Sequence, residues 1–256
     1  MQARVPKPPR VIDYMNVSVH SVDAGTLLAE LDSLFELHDC STFVVEEDGV
    51  RAGVVSRTDL FRVGQPERSR TLVVPEGCVG EIMSREIVGL GAQEPLSRAA
   101  GLMADHGVHQ VFAIDDDKIG GVLTVRDVMR ALVDERLDMP IGEIMSTKIL
   151  SAQAGETMSA AVARLGEAEK HALVVLEGEW PVGVLSFDEA LLAREWPGDT
   201  PIKEWMSLRL LCLPVGTPAY RAAAHALAMR VNHVVVMDDH GMRGVVTGVD
   251  FAAAMG

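Results

Sequence analysis

Val79-Gly80-Glu81-Ile82-Met83-Ser84 and, further on, Gly121-Val122-Leu123-Thr124-Val125-Arg126-Asp127 bracket the stretch on which the whole chain is patterned. The opening recurs as Val11-Ile12-Asp13-Tyr14-Met15-Asn16, Ile141-Gly142-Glu143-Ile144-Met145-Ser146 and Ile202-Lys203-Glu204-Trp205-Met206-Ser207. The closing recurs as Gly53-Val54-Val55-Ser56, Gly183-Val184-Leu185-Ser186 and Gly244-Val245-Val246-Thr247. From the methionine to the closing glycine the interval is 38 residues in all four copies, and the copies follow one another at 68, 62 and 61 residues. Chance does not hold four hits to one interval, so the chain is an internal repeat.

Each copy carries the same pattern. Leu28, Leu31 and Phe35 stand at helical spacing, as do Leu96, Ala99, Ala100 and Met103, then Met158, Ala161, Val162 and Leu165, then Tyr220, Ala223, Ala224 and Leu227. Pro95 suits a first helical position and Gly107 a helix end. Two β-rich runs follow each helix, split by an acidic turn such as Asp115-Asp116-Asp117, and a terminal helix begins after the closing motif, at Arg57 in the first copy and over 125–136 in the second. The expected fold is α/β (α+β): four β-α-β-β-α repeats as two tandem pairs. Residues 1–10 read as a proline-rich tail. The first pair spans 11–136 (repeats 11–63 and 79–136, joined by a Gly- and Pro-bearing loop), and the second spans 140–256 (repeats 140–196 and 201–256). About 60 residues bury too little surface to stand alone, so pairing is expected.

The chain has 256 residues, 48% of them hydrophobic and 23% charged, as in a globular protein. Net charge is −14, divided as −9 over residues 1–139 and −5 over 140–256, so neither half has the basic excess that a phosphate backbone demands. Arg62, Arg68 and Arg70 form the one small basic patch. Three cysteines outside any zinc spacing suit a reducing compartment. With no signal-peptide pattern and no run of ~18 apolar residues, a cytoplasmic location is expected, away from membrane and nucleic acid.

These motifs resemble the CBS domains, named for cystathionine β-synthase, whose repeats open with h-x-x-x-M-[ST] and close with G-h-h-[ST]-x-x-D. The resemblance runs from about residue 11 to 256. Four repeats without a catalytic domain are similar to the γ subunit of AMP-activated kinase. The resemblance implies a ligand site in the cleft of each pair for AMP, ADP, ATP, S-adenosylmethionine or a cyclic dinucleotide. It implies no enzymatic activity and no required cofactor. On this likeness Asp59, Asp127 and Asp250 hold ribose hydroxyls, and Ser56, Thr124 and Thr247 meet phosphate with the amides that follow them. Apolar residues sandwich the base, for which Phe43, Phe112, Ile87 and Ile149 are the candidates.

The closing motif makes physical sense by itself, because a strand ending at a helix N-terminus offers free amides and a positive dipole to an anion. Arg57 and Arg126 lie inside it and suit phosphate, and His109 is a further candidate. The plainer reading is a capping box, S/T-x-x-D/E, which stabilises a helix with no ligand. Such a box favours Glu, so Glu189 marks the third repeat as capping only, and Gly248-Val249 leaves the fourth without a cation. The first pair is therefore expected to bind best and the second weakly. His109 and His171 stand 12 residues before the closing glycine and His233 stands 11 before it, which suggests a structural role. His106 and His109 have no third metal ligand, and the Asp115 turn lacks calcium-loop spacing. The expected function is adenine-nucleotide sensing that is passed on to a protein effector. The alternative is a ligand-free scaffold whose motifs only cap helices. Either a closed four-repeat disc or a homodimer fits the repeat number, and symmetry favours the dimer.

Overall fold

The computed structural model describes residues 7–116, 118–168 and 170–256. Residues 1–6 of the expected tail and Asp117 of the acidic turn lie outside the described residues. The first repeat runs α1 (Val11–Tyr14), β1 (Ser21–Asp23), α2 (Leu28–His38), β2 (Thr42–Glu47), β3 (Val50–Ser56) and α3 (Arg57–Val63). The second runs α4 (Val79–Ile82), β4 (Gly89–Leu90), α5 (Leu96–His106), β5 (Gln110–Asp115), β6 (Lys118–Thr124) and α6 (Val125–Asp134). The third runs α7 (Ile141–Ile144), β7 (Ser151–Gln153), α8 (Met158–Glu167), β8 (Ala172–Glu177), β9 (Trp180–Ser186) and α9 (Phe187–Leu192). The fourth opens on a 3₁₀ turn (Ile202–Glu204) and continues β10 (Leu211–Pro214), α10 (Ala219–Met229), β11 (His233–Asp238), β12 (Gly241–Thr247) and α11 (Gly248–Ala253). The expected β-α-β-β-α order is present four times, each preceded by one short helical turn. Each repeat makes a three-stranded sheet, parallel between its first two strands and antiparallel across its hairpin. The chain is thus a mixed α/β protein of two tandem repeat pairs.

The opening segments do not serve their own repeats. Val11 and Ile12 donate their amides to the carbonyls of Glu94 and Ala92, and Asn16 pairs with Val122 on the free edge of β6. Reciprocally, Val79 and Gly80 bond to Thr26 and Ala24, and Ser84 pairs with Val54 on β3. The second pair repeats this: Ile141 bonds to Thr217 and Ser146 pairs with Val245, while Ile202 bonds to Glu156 and Ser207 pairs with Val184. Val11, Val79, Ile141 and Ile202 are wholly buried, so each opening segment is anchored by one apolar plug. The closing glycine is what admits the visitor. A Cβ on Gly53 would sit 2.3 Å from the Ser84 carbonyl oxygen and 3.2 Å from the Met83 sulfur.

The chain divides otherwise than its contiguous halves 11–136 and 140–256, because the helices pack across the two halves while each opening segment goes with the repeat that receives it. One compact unit comprises Met1–Val19, Val88–Thr147 and Leu211–Gly256, the other His20–Ile87 and Lys148–Leu210. The second and fourth repeat bodies share the first unit, where α6 packs on α10 and α5 on α11. The first and third share the second, where α3 meets α9 and the Phe61 and Phe187 rings stack 3.8 Å apart.

The expected buried faces of α2, α5 and α8 are all in the core. On α10 the expected stripe is corrected by one position: Ala219, Ala222, Ala223 and Ala226 are buried, while Tyr220, Ala224 and Leu227 are only partly covered. Four alanines let the α10 backbone approach Met129 and Leu132 of α6 closely, and the larger residues move to the margin. Pro95 is also corrected, since it caps α5 from outside at ψ 140 instead of occupying the first turn, and Gly107 ends that helix at φ +61 as expected. The loop after α3 is not loose. Thr71 and Leu72 are buried and bond to the carbonyls of Trp196 and Arg194. Among the described residues no helix is long and apolar enough to cross a membrane, and no cluster of metal-ligating side chains occurs.

Candidate ligand-binding motifs

All four closing motifs are capping boxes, Asp and Glu alike. The choice of acid therefore does not tell the copies apart as the sequence suggested: from the third helical position an Asp reaches back to both groups just as the Glu does. In the first repeat Asp59 Oδ2 accepts from the Ser56 amide at 2.8 Å and its hydroxyl at 2.7 Å. Asp250 Oδ2 does the same for Thr247 at 2.7 Å each, and Asp127 Oδ2 for Thr124 at 2.8 and 2.7 Å. Glu189 Oε2 takes the Ser186 amide at 2.9 Å and its hydroxyl too.

The second carboxylate oxygen separates the copies. Asp59 and Asp250 are half-buried, and among the described residues nothing in the protein bonds to their Oδ1. Asp127 is 5% exposed, and its Oδ1 is held by the Arg130 guanidinium.

The candidate cations differ as sharply. Arg57 is 14% exposed at its side chain and is committed: it lies 2.9 Å from Glu36, 3.5 Å from Asp32 and 3.8 Å from Asp188, with its guanidinium 5.2 Å over the Phe35 ring. Arg194 holds the other oxygen of Asp32 at 2.5 Å. Arg126 instead donates to a neutral partner, the Asn232 amide oxygen at 3.1 Å. The amides of Arg57 and Val125 are already bonded to the carbonyls of Ser41 and His109, so the helix N-termini present fewer free donors than the motif suggests. Phe43 is fully buried and stacks on Phe35 at 5.0 Å, and Phe112 is likewise buried. Ile87 and Ile149 are half-buried. Within the second unit the structure therefore gathers Ser56, Arg57 and Asp59 with Asp188 and His171 of the third repeat. Within the first it gathers His109, Thr124, Arg126 and Asp127 with Asn232 and His233 of the fourth.

Burial, with the neighbouring His109 adding to it, pushes the His233 imidazole down to about 4 from the ordinary 6.5, and burial also lowers His109. The folded state then binds fewer protons than the unfolded one between about pH 4 and 6.5. This contribution to stability is complete above pH 6.5 and fades as the pH falls towards 4. Melts from neutral pH downward should show that slope, flattened in His233→Gln; an equal slope in the variant would contradict it.

The CBS domain family model matches residues 11–65, 79–134, 141–195 and 202–256. The chain belongs to the CBS domain family. A curated relative, the CBS domain-containing protein YhcV of Bacillus subtilis (strain 168), is 27% identical over 118 residues, 46% of this chain and 81% of that protein. The structure is similar to that of protein MJ1225 from Methanocaldococcus jannaschii, a candidate archaeal homologue of γ-AMPK. The TM-score is 0.83 at 17% identity, covering 97% of this chain and all 100% of that one. An uncharacterized conserved protein from Pyrococcus horikoshii matches with TM-score 0.70 and 18% identity over 97% of this chain and 100% of its own. At such identities the likeness is one of fold, and it covers nearly all of this chain.

Arg62 and Arg130 extend the motif beyond the residues singled out in its sequence. Both stand three residues past the motif Asp, and that spacing was available to find them.

Proposed function

We propose that this CBS protein is a non-catalytic regulator that binds an adenine nucleotide or a related adenosyl ligand through its closing motifs and passes their occupancy to a protein effector. The observation that carries the reading is the Oδ1 of Asp59 and Asp250, to which nothing among the described residues bonds. Because one oxygen closes the capping box and the other remains open, capping a helix and accepting a ribose hydroxyl are compatible in one residue. Asp127 would join them once Arg130 lets go. Arg126 has only a neutral amide to leave in order to meet a phosphate, whereas Arg57 would have to break with three carboxylates. Thr124, Thr247 and Ser56 would contribute through the dipole of the helices they cap, and Phe43, Phe112, Ile87 and Ile149 would shape the apolar surroundings more than touch the base. AMP, ADP and ATP suit these groups, with S-adenosylmethionine or a cyclic dinucleotide as further adenosyl candidates. Action in the cytoplasm as a homodimer completes the proposal.

To convert a two-state equilibrium from 1:99 to 99:1 the ligand must favour one state by about 10⁴-fold, roughly 5.5 kcal/mol. Two charge-assisted ribose bonds at about 1.5–3 kcal/mol each come near that. The test is a thermal melt against AMP, ADP, ATP, S-adenosylmethionine and cyclic di-AMP. A ligand at about 100 times its Kd should stabilise by about 2.7 kcal/mol, a rise of about 5–10 °C. An unmoved melt across the panel at millimolar concentration would favour the second reading, a ligand-free scaffold, which the intact box of Glu189 supports.

A further inference from the structure

We propose that Arg130, one turn beyond Asp127, makes the ribose-binding acid of the second repeat selective for phosphorylated ligands, and that Arg62 serves the first repeat in the same way. This inference rests on the ribose role proposed above. The first two repeats share a longer pattern than the family motif: Ser56-x-x-Asp59-x-x-Arg62 and Thr124-x-x-Asp127-x-x-Arg130. The third and fourth have Leu192 and Ala253 at that place. The arginine belongs to the N-terminal pair alone.

Its two copies are in different arrangements. Arg130, 60% exposed at its side chain, reaches back three residues and covers Asp127 Oδ1, leaving that carboxylate nearly inaccessible. Residues three apart on a helix face one another, so this needs no distortion. Arg62 has the same opportunity and does not take it: among the described residues no ion pair joins it to Asp59. It lines a cavity of about 140 Å³ beside Phe61, Phe187 and His171 instead. One element is thus present closed over its acid in one repeat and turned away in the other.

The consequence is a discrimination between ligands. A ribose hydroxyl can donate to Asp127 Oδ1 only after Arg130 has left it. A ligand without phosphate leaves the displaced guanidinium with water alone. A ligand with phosphate offers it a new anion, and an Arg–phosphate pair is among the stronger charge-assisted contacts. Binding therefore exchanges one carboxylate for another anion when phosphate is present, and forfeits an ion pair when it is absent. Specificity of this kind is a difference of affinities built from an unfavourable term against the wrong ligand.

Isothermal titration of AMP and of adenosine into the wild type, Arg130→Met and Arg62→Met/Arg130→Met tests it. Both arginines are exposed, so the variants should fold, and melts in the absence of ligand verify this. The wild type should prefer AMP over adenosine, and Arg130→Met should shrink that preference by about tenfold. Part of the change should be tighter adenosine binding, because Asp127 is uncovered. A merely structural role for Arg130 would lower the melt without changing the ratio. Binding with an unchanged ratio in the double variant overturns this inference and leaves the nucleotide reading in place. Absence of binding by either ligand to every protein overturns both.

Discussion

Replacing Gly53 with alanine is expected to cost about 3 kcal/mol and to lower the melting midpoint by about 6–12 °C. The added methyl would sit 2.3 Å from the Ser84 carbonyl oxygen, a backbone atom with no rotamer by which to retreat. Either β3 shifts or the opening segment of the second repeat is expelled. Expulsion would break the reciprocal Val54–Ser84 hydrogen bonds of 2.9 and 2.8 Å and draw the buried Val79 plug with it. Gly183→Ala is the control. There the nearest atom is the flexible Met206 sulfur at 2.7 Å, with the Ser207 oxygen at 2.9 Å, so about 1 kcal/mol is expected. Urea midpoints for the two variants measure the difference. Equal, small losses would mean that the exchanged segments are not a determinant of stability.

Arg57→Met is the second large effect, about 3 kcal/mol of destabilisation. Asp32 is 6% exposed, and Arg57 with Arg194 supplies its compensating charge. Removing one partner from a buried ion pair strands the other and typically costs about 3–5 kcal/mol; the remaining Arg194 keeps the cost at the lower end. Asp188 matters less. Its side chain is 54% exposed and lies 3.8 Å from Arg57 at the margin of the network, and a solvated pair of that kind contributes little. Asp188→Asn should be close to neutral in the same urea titration. A loss from Asp188→Asn as large as that from Arg57→Met would contradict this description of the network.

Much of the architecture is legible in the chain. The repeat, its element order and the buried faces of α2, α5 and α8 follow from spacing, because a helix that packs on one side must place apolar residues at its own period. The exchange of opening segments is not legible. Met15 stands 38 residues before Gly53 but packs against Gly121, and in four similar copies nothing local says which glycine receives which methionine. The stripe on α10 is not legible either, because an alanine-rich helix carries little amphipathic contrast and its large residues, Tyr220 and Leu227, stand one position away from the buried face.

At the candidate site, residue types were readable but commitments were not. Arg57 and Arg126 look equivalent as cations until three carboxylates are found around the first and one amide beside the second. Asp59, Asp127 and Asp250 are one letter in sequence, and only the fate of a single oxygen distinguishes them. Family membership and the likeness over 97% of the chain establish the CBS fold, while the proposed ligand role depends on such atoms.

The most direct test of the proposed role uses Asp59→Asn/Asp127→Asn/Asp250→Asn. Asparagine keeps one carbonyl oxygen to receive the cap, while its amide nitrogen cannot accept a ribose hydroxyl. It therefore separates the two jobs of the motif. Titration calorimetry with the nucleotide that shifts the wild-type melt should show binding weakened about a hundredfold, with the unliganded melt close to that of the wild type. Binding equal to that of the wild type would contradict the account and leave the motifs as helix caps.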